Sequence, residues 1–300
     1  TMELIRIIFL LTFIFIESHQ QQIAPSLVCS QDNSAMMGMI FPGSYSNSFS
    51  RAVRSKCTFS NINAFDQMTR VLNEKAVNGI NVISIAFNQS NLSSFPDRAF
   101  STYANLRSLD GSSLRLTNIS SNVFSGMKSL ESLVLSFNNL TALSSKALAN
   151  LKLKSLDLSY NLISTIDETA FVGSEIDRID LSFNKIKSTK FISSFKSFNY
   201  MQLNDNEIEM LEKIEISKSN DGVGGISLSS QLFMFLPYQN PSINLQNNKI
   251  KIFECASSVP FMLIDLSKNR DLSDVKLNDC KIERLDVSEC VNLKSLRMTD

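Results

Sequence analysis

Apolar and polar residues alternate in one pattern that recurs along the middle of the chain. Three segments have apolar residues at the first, fourth, sixth and eleventh positions and asparagine at the ninth; they begin at Leu130, Leu153 and Ile176, a step of 23 residues. Such alternation predicts a short β-strand in each segment. The fixed period predicts a solenoid of stacked turns, so we expect one elongated domain although the length would suffice for two globular ones.

Each position of the repeat has a predicted physical role. The first, fourth and sixth side chains should point inward and join the cores of neighbouring turns. The asparagine stands where the chain leaves the strand, so its amide can bond backbone groups that the bend leaves unpaired. We therefore expect Asn138, Asn161 and Asn184 to be structural rather than ligand-binding.

The pattern extends in both directions with lower fidelity, and we expect about ten turns in all. Further units begin at Val82, Leu106, Phe198, Val223, Asn240, Phe261, Leu272 and Leu293. The second of these departs at Gly111 and Leu114, which predicts a distorted turn. The units from Val223 and Asn240 are only 17 residues apart, so either the register of the first is wrong or the solenoid is irregular there. Segment 282–290 repeats the motif at half the period, and we interpret it as an extended segment on the convex side.

An aromatic residue recurs at one point of the segments that connect the strands, at Phe100, Phe124 and Phe171. With these residues and the repeats, the chain resembles the extracellular leucine-rich repeat ectodomains, whose connecting segments read L-x-x-x-x-F. The resemblance spans residues 58–300. It implies an α/β repeat solenoid of horseshoe shape, with a parallel β-sheet on the concave face and irregular or short helical segments on the convex face.

The two ends of the sequence differ from the repeats. Residues 2–16 hold a basic residue followed by about ten apolar ones, which is the length of a signal peptide rather than of a membrane span. We expect a signal peptide over 1–20, with an uncleaved anchor as the alternative, and a solenoid over 58–300. The chain reaches Asp300 in mid-strand with no capping segment, from which we expect that it is truncated at its C-terminus.

Five cysteines are present: Cys29, Cys57, Cys255, Cys280 and Cys290. Extracellular members of the family have a disulfide-bonded N-terminal cap, and the resemblance assigns that cap to residues 21–57, with the first two cysteines as its disulfide. Cys280 and Cys290 fall at asparagine-type positions, which favours buried thiols. Because five cysteines cannot all pair internally, one is free, pairs outside this sequence or links to another chain in an oligomer.

Four N-x-[ST] sequons occur, at Asn88, Asn91, Asn118 and Asn139. Together with the signal peptide they predict a secreted glycoprotein. Asn88 and Asn91 lie too close together for both to carry a glycan comfortably, and Asn139 is the favoured site.

Composition and charge argue against several classes of function. Lysine plus arginine equals aspartate plus glutamate, at 29 each, so nucleic acid is not an expected partner. The only histidine is His19, inside or at the edge of the predicted signal peptide, which removes histidine-based catalysis and histidine-ligated zinc. Segment 221–225 is glycine-rich but lacks the phosphate-loop pattern. We expect no enzyme activity, no cofactor and no metal.

Function is therefore expected on the concave face, at positions three, five, seven and eight of each unit. Position five is rich in aspartate and also includes Ser227 and Lys276. Position eight is aromatic in three successive turns, where the rings would stack about 4.8 Å apart. Aromatic residues and arginine are favoured at the centres of protein interfaces. The predicted partner-binding patch comprises Phe137, Asp157, Tyr160, Arg178, Asp180 and Phe183. The alternative is that position eight holds half-buried turn residues.

Three functions remain open. The favoured one is a secreted or cell-surface recognition module for a protein ligand or a pathogen-associated or glycan surface, with a role in innate immunity, because the chain resembles secreted invertebrate immune repeat proteins. The second is an adhesion component of the extracellular matrix. The third is the truncated ectodomain of a Toll-like transmembrane receptor.

Overall fold

The computed structural model describes residues 24–31, 54–75, 79–209, 241–255, 260–278 and 280–299. These residues wind into a solenoid in which one strand per turn joins a single eleven-stranded sheet. Strand β1 is antiparallel to β2, and every later neighbour in the sheet is parallel. The predicted repeat solenoid with a parallel concave sheet is confirmed.

Strands are numbered in chain order. The concave sheet contains, from one edge to the other, β1 (Ser26–Gln31), β2 (Ser55–Ser60), β3 (Val82–Asn88), β4 (Ser108–Asp110), β5 (Ser132–Val134), β7 (Lys152–Asp157), β9 (Glu175–Asp180), β10 (Ser197–Gln202), β11 (Ser242–Asn244), β13 (Phe261–Asp265) and β15 (Ile282–Asp286). Two small sheets lie on the return segments; they contain β6 (Ala142–Leu143) with β8 (Thr165–Ile166), and β12 (Ile252–Cys255), β14 (Asp274–Asn278) with β16 (Ser295–Thr299).

Helix is scarce, as expected for short return segments. The described residues contain one α-helix, α1 (Phe65–Glu74), and two 3-10 helices, at Gly79–Asn81 and Lys190–Ser194. Outside these helices and the two small sheets, the return segments consist of turns, several of them around buried aromatic rings. Phe100 stacks on Phe124 with a centroid distance of 6.3 Å, and the Phe171 ring lies 4.4 Å from that of Phe195. The recurrent aromatic residues therefore form a second, convex layer of the core.

The core itself follows the repeat. Fourth-position residues pair directly across neighbouring strands, Leu109 with Leu133, Leu133 with Leu156, Leu156 with Ile179 and Ile179 with Met201. Each is at most 1% exposed. Full burial of such a side chain contributes about 1.5–3 kcal/mol, so every turn is stabilised chiefly by the turns on either side of it.

The ninth-position asparagines join successive turns. The Asn161 side chain is buried; its Nδ2 donates to the carbonyls of Leu135, Leu158 and Ser159, and its Oδ1 accepts from the Leu140 backbone N–H at 3.1 Å. The same contacts recur at Asn138, Asn184, Asn206, Asn248 and Asn269. The expectation that these residues are structural is confirmed.

The irregular unit from Leu106 keeps its strand. β4 pairs in register with β3 and β5, and the Leu114 side chain fills the space beside Gly111: a Cβ added there would lie 3.5 Å from Leu114 Cδ1 and 3.1 Å from Leu135 Cδ2. The unit departs from the others in having a second left-handed residue after Ser113, namely Arg115 with φ 66°, and in donating two backbone N–H groups, those of Leu114 and Leu116, to Asn138 Oδ1. Glycine at position six and leucine at position nine therefore compensate for each other.

The predicted register of the last units was wrong. β15 pairs with β13 in the concave sheet, whereas β14 and β16 pair on the convex side. Segment 282–290 is thus a concave unit, and the segments from Leu272 and Leu293 are convex. β10 pairs directly with β11; the unit predicted from Val223 lies outside the described residues.

The cysteines are resolved into two disulfides and one thiol. Cys29 on β1 is bonded to Cys57 on β2. Cys280 was expected to be a buried thiol, but it forms a disulfide with Cys255. Cys280 lies between the convex strand β14 and the concave strand β15, and this position brings it close enough to Cys255 to bond. Cys290 is a free thiol in the asparagine column, where its Sγ donates to the Leu266 carbonyl at 3.2 Å. Residues 1–23 and 32–53, which include the predicted signal peptide and much of the predicted cap, lie outside the described residues.

Candidate partner-binding face

The backbone at position eight is left-handed in every described turn of the concave sheet. The φ angles lie between 46° and 60° at Asn61, Gln89, Ser113, Phe137, Tyr160, Phe183, Asp205, Asn247, Lys268 and Glu289. This conformation directs the backbone N–H toward the next turn: in the three aromatic positions it donates to a carbonyl of the following turn at 3.1 Å. The stacking of turns therefore requires the conformation, whichever side chain is present.

Three of these positions hold the aromatic residues Phe137, Tyr160 and Phe183, which we name the aromatic ledge. The rings are stacked, with centroids 4.5 Å apart in the first pair and 4.3 Å apart in the second. They are 57%, 44% and 42% exposed, respectively. The ledge is thus an exposed apolar strip that crosses three turns.

Aspartates of position five run beside the ledge, near the middle of the concave sheet. Asp157 and Asp180 are direct neighbours across β7 and β9. Each Oδ1 accepts from the hydroxyl and the backbone N–H of the serine two residues later, Ser159 or Ser182, with a hydroxyl distance of 2.6 Å in both cases. The two carboxylates are therefore held in fixed orientations on the same turns as Tyr160 and Phe183.

Position three adds a cation and a hydroxyl to the same face. Arg178 is exposed and pairs across the sheet with Tyr200. The neighbouring Asp177 is half-buried. Burial raises the pKa of its carboxyl, and the charges of Arg178 and Lys154 only partly oppose this shift. Tyr200 was not among the residues predicted for the patch, although it fills position three of the following unit and could have been found from the register.

The correct register also changes the acidic column. Lys276 was expected at position five, but it lies on the convex strand β14, 3.6 Å from Glu254. Asp286 takes its place, paired with Asp265 across β13 and β15. Ser227, expected in the same column, lies outside the described residues. The concave face is therefore more acidic than the sequence indicated.

Ion pairs flank the strands where they enter the sheet. Glu175 is contacted by Lys196 at 2.9 Å and by Lys152 at 3.3 Å. The hydrogen bond from Lys196, followed by the effect of Lys152, lowers the pKa of the Glu175 carboxyl, and burial opposes the shift. Glu131 is similarly placed between Arg107 and Lys154. These lysines are thus engaged with carboxylates where the strands enter the sheet.

All four predicted glycosylation residues are exposed: Asn88, Asn91, Asn118 and Asn139. Asn139 follows the ninth-position asparagine, and its backbone N–H donates to the Leu116 carbonyl at 2.8 Å. Its side chain is free to accept a glycan beside the turn that contains Phe137. Occupancy of the four positions stays a prediction.

A family profile described as leucine rich repeat matches residues 131–186, which include the β5, β7 and β9 units. Residues 131–186 are thus leucine-rich repeats. No curated protein sequence matches the chain.

Several solved leucine-rich repeat structures are similar to the chain. TLR13, in a complex with ssRNA13, is 13% identical to this chain, with a TM-score of 0.45. The match covers 78% of this chain and 35% of TLR13. The leucine-rich repeat domain of APL1B is 16% identical, with a TM-score of 0.42 and coverages of 71% and 64%. A Drosophila Toll–Spatzle complex is 18% identical, with a TM-score of 0.37 and coverages of 66% and 29%. The chain thus spans less than two thirds of each of these proteins.

Two further observations bear on compartment and partners. Two disulfides are typical of proteins that fold in an oxidising compartment. Among the described residues, none of the helices has the length and apolar character needed to cross a bilayer. The expectation that nucleic acid is not a partner stays a prediction.

Proposed function

We propose that this protein is a secreted, non-catalytic recognition module that binds a protein partner through its concave face. The aromatic ledge carries this proposal. Phe137, Tyr160, Arg178 and Phe183, with the carboxylates of Asp157 and Asp180, form the contact surface.

The backbone under the ledge explains why we assign it to binding. A left-handed conformation costs an L-residue about 1–2 kcal/mol, and bulky side chains seldom adopt it. Stacking of an aromatic pair contributes about 0.5–1.5 kcal/mol, so the two pairs offset only part of the cost at three residues. The three rings remain 42–57% exposed, so much of their apolar surface stays in water and does not contribute to folding. Aromatic residues are, by contrast, favoured at interface centres.

The acidic residues supply steering. The partner surface should be basic or polar, so that opposite charges accelerate the encounter and salt weakens it. Asp157 and Asp180 are fixed by their serine contacts before a partner arrives, which lowers the entropic cost of binding.

A binding measurement on matched variants tests the proposal. Partners are selected from a displayed library of cDNA-encoded protein fragments on the immobilised wild-type chain, and dissociation constants are measured by surface plasmon resonance. Tyr160→Ser should weaken the selected partners by about tenfold or more. Val172→Ser removes an apolar side chain, 38% exposed, from a return segment and should leave affinity unchanged. Partners that tolerate Tyr160→Ser but lose affinity with Val172→Ser would place binding on the convex side.

The role in innate immunity rests on the resemblance to secreted invertebrate immune repeat proteins. Transcript levels measured before and after microbial challenge test it, and we expect induction. Constant expression together with a matrix-derived partner would favour the adhesion role. Secretion and glycosylation are tested on protein recovered from the medium, whose mass should fall after treatment with peptide N-glycosidase and fall less in Asn139→Gln.

A further inference from the structure

The stacking of the aromatic ledge restricts what can bind to it. The planes of Phe137 and Tyr160 differ by 7°, and those of Tyr160 and Phe183 by 9°. Both faces of the Tyr160 ring are therefore covered by its neighbours. Because the rings follow one another from turn to turn, their faces look along the solenoid. A partner that approaches the concave side meets ring edges.

Edges and faces of an aromatic ring attract different groups. The face is negative and the edge is positive. Cations and the weakly positive C–H groups of a sugar ring bind to faces, whereas edges favour carbonyl oxygens and the faces of other aromatic rings. In the turns on either side of the stack, position eight holds the polar residues Ser113 and Asp205. The ledge is thus poorly suited to flat stacking of sugars and well suited to aromatic side chains and peptide carbonyls.

The adjacent carboxylates of Asp157 and Asp180 favour binding of a positively charged group. Asp157 and Asp180 lie side by side on adjacent strands, where like charges repel. A cationic group placed between them relieves this repulsion. Each carboxylate is only three residues from a ledge ring in its own turn, Tyr160 or Phe183, so one short ligand segment can reach both features.

We propose that the concave face takes a polypeptide segment in which lysine or arginine lies close to an aromatic or large aliphatic residue. The apolar side chain packs against the ring edges of the ledge, and the cation contacts Asp157 and Asp180. This inference rests on the proposed function and specifies its partner as polypeptide rather than glycan.

Two probes are compared on the full chain. A displayed library of random linear peptides is selected on the wild-type protein, and the same protein is applied to an array of oligosaccharides. Enriched peptides should pair a basic with an aromatic or large aliphatic residue. Their dissociation constants should rise about tenfold or more with Tyr160→Ser, and likewise with Asp157→Asn combined with Asp180→Asn, which keeps the acceptors for the serine bonds.

Control variants separate binding from folding. Val172→Ser, at a residue outside the concave face, should leave peptide affinity unchanged, and far-UV circular dichroism should show all variants folded. Failure to enrich any peptide, or enrichment without the basic and apolar pairing, would overturn the inference. Sugar binding that is lost with Tyr160→Ser would also overturn it and leave the concave-face proposal standing. Ligands of both classes that ignore every concave variant would overturn both.

Discussion

Replacing Asn161 by alanine should lower the free energy of unfolding by about 2–4 kcal/mol. The side chain is 5% exposed, and its Oδ1 accepts from the Leu140 N–H at 3.1 Å. Its Nδ2 donates to three carbonyls, but each keeps a second donor: Asn138 for Leu135, Asn184 for Leu158 and the Phe137 N–H for Ser159. The cost therefore centres on one buried N–H left unpaired, about 1–3 kcal/mol, with about 1 kcal/mol from the weakened carbonyl contacts.

Two matched variants provide reference values for this change in the free energy of unfolding. Asn161→Cys should fall between the wild type and Asn161→Ala, because Cys290 stands in the same column and its Sγ still donates to a carbonyl of the preceding turn. Asn139→Ala changes an exposed asparagine two residues before Thr141 and should shift stability by no more than about 0.5 kcal/mol.

Urea unfolding followed by far-UV circular dichroism measures these differences, with hydrogen exchange at the Leu140 amide as a local probe. Exchange at that amide should accelerate in Asn161→Ala and remain slow in Asn139→Ala. Equal unfolding midpoints for Asn161→Ala and Asn139→Ala would refute the idea that the asparagine column joins the turns.

Two other predictions follow from contacts elsewhere in the solenoid. Gly111→Leu should lower the free energy of unfolding by about 1–3 kcal/mol, because the new side chain crowds Leu135 and Leu114. Adding Leu114→Asn should restore at least half of the lost stability. Additive effects of the two substitutions in urea titrations would instead show that the two sites are independent. Glu175 has a lowered pKa because Lys196 donates to it, so its contribution is present above the ordinary glutamate pKa of about 4.3 and is lost as pH falls through the lowered value. The stability difference between wild type and Glu175→Gln, below about 1 kcal/mol, should vanish in acid; a difference independent of pH would contradict this.

Local patterns allowed much of the fold to be predicted. In the central turns the leucines, the asparagine and the 23-residue step agree with one another, so strand position and side-chain direction follow together. The positions of Phe137, Tyr160 and Phe183 in successive turns, and hence their stacking, followed from that register. The contribution of these residues to binding stays a prediction.

Long-range pairing explains what the sequence could not supply. The segments that begin at Leu272 and Ile282 share the same apolar spacing, and alternation alone does not distinguish a concave from a convex strand; their pairing partners do. The bond between Cys255 and Cys280 likewise depends on which strands become neighbours. The direction of the ring faces in the ledge depends on a left-handed backbone, which no aromatic residue favours.

Disulfide trapping in a Cys290→Ser background tests the central claim, that the ledge residues occupy adjoining turns. Adjoining strands are about 4.8 Å apart and alternate ones about twice that, whereas a disulfide needs Cα atoms about 4.4–6.8 Å apart. Phe137→Cys with Tyr160→Cys, and Tyr160→Cys with Phe183→Cys, should oxidise readily, as mass spectrometry of the non-reduced protein would show. Phe137→Cys with Phe183→Cys should remain reduced. Equal oxidation of all three pairs, or preferential oxidation of the last, would contradict the stacked turns on which the binding face depends.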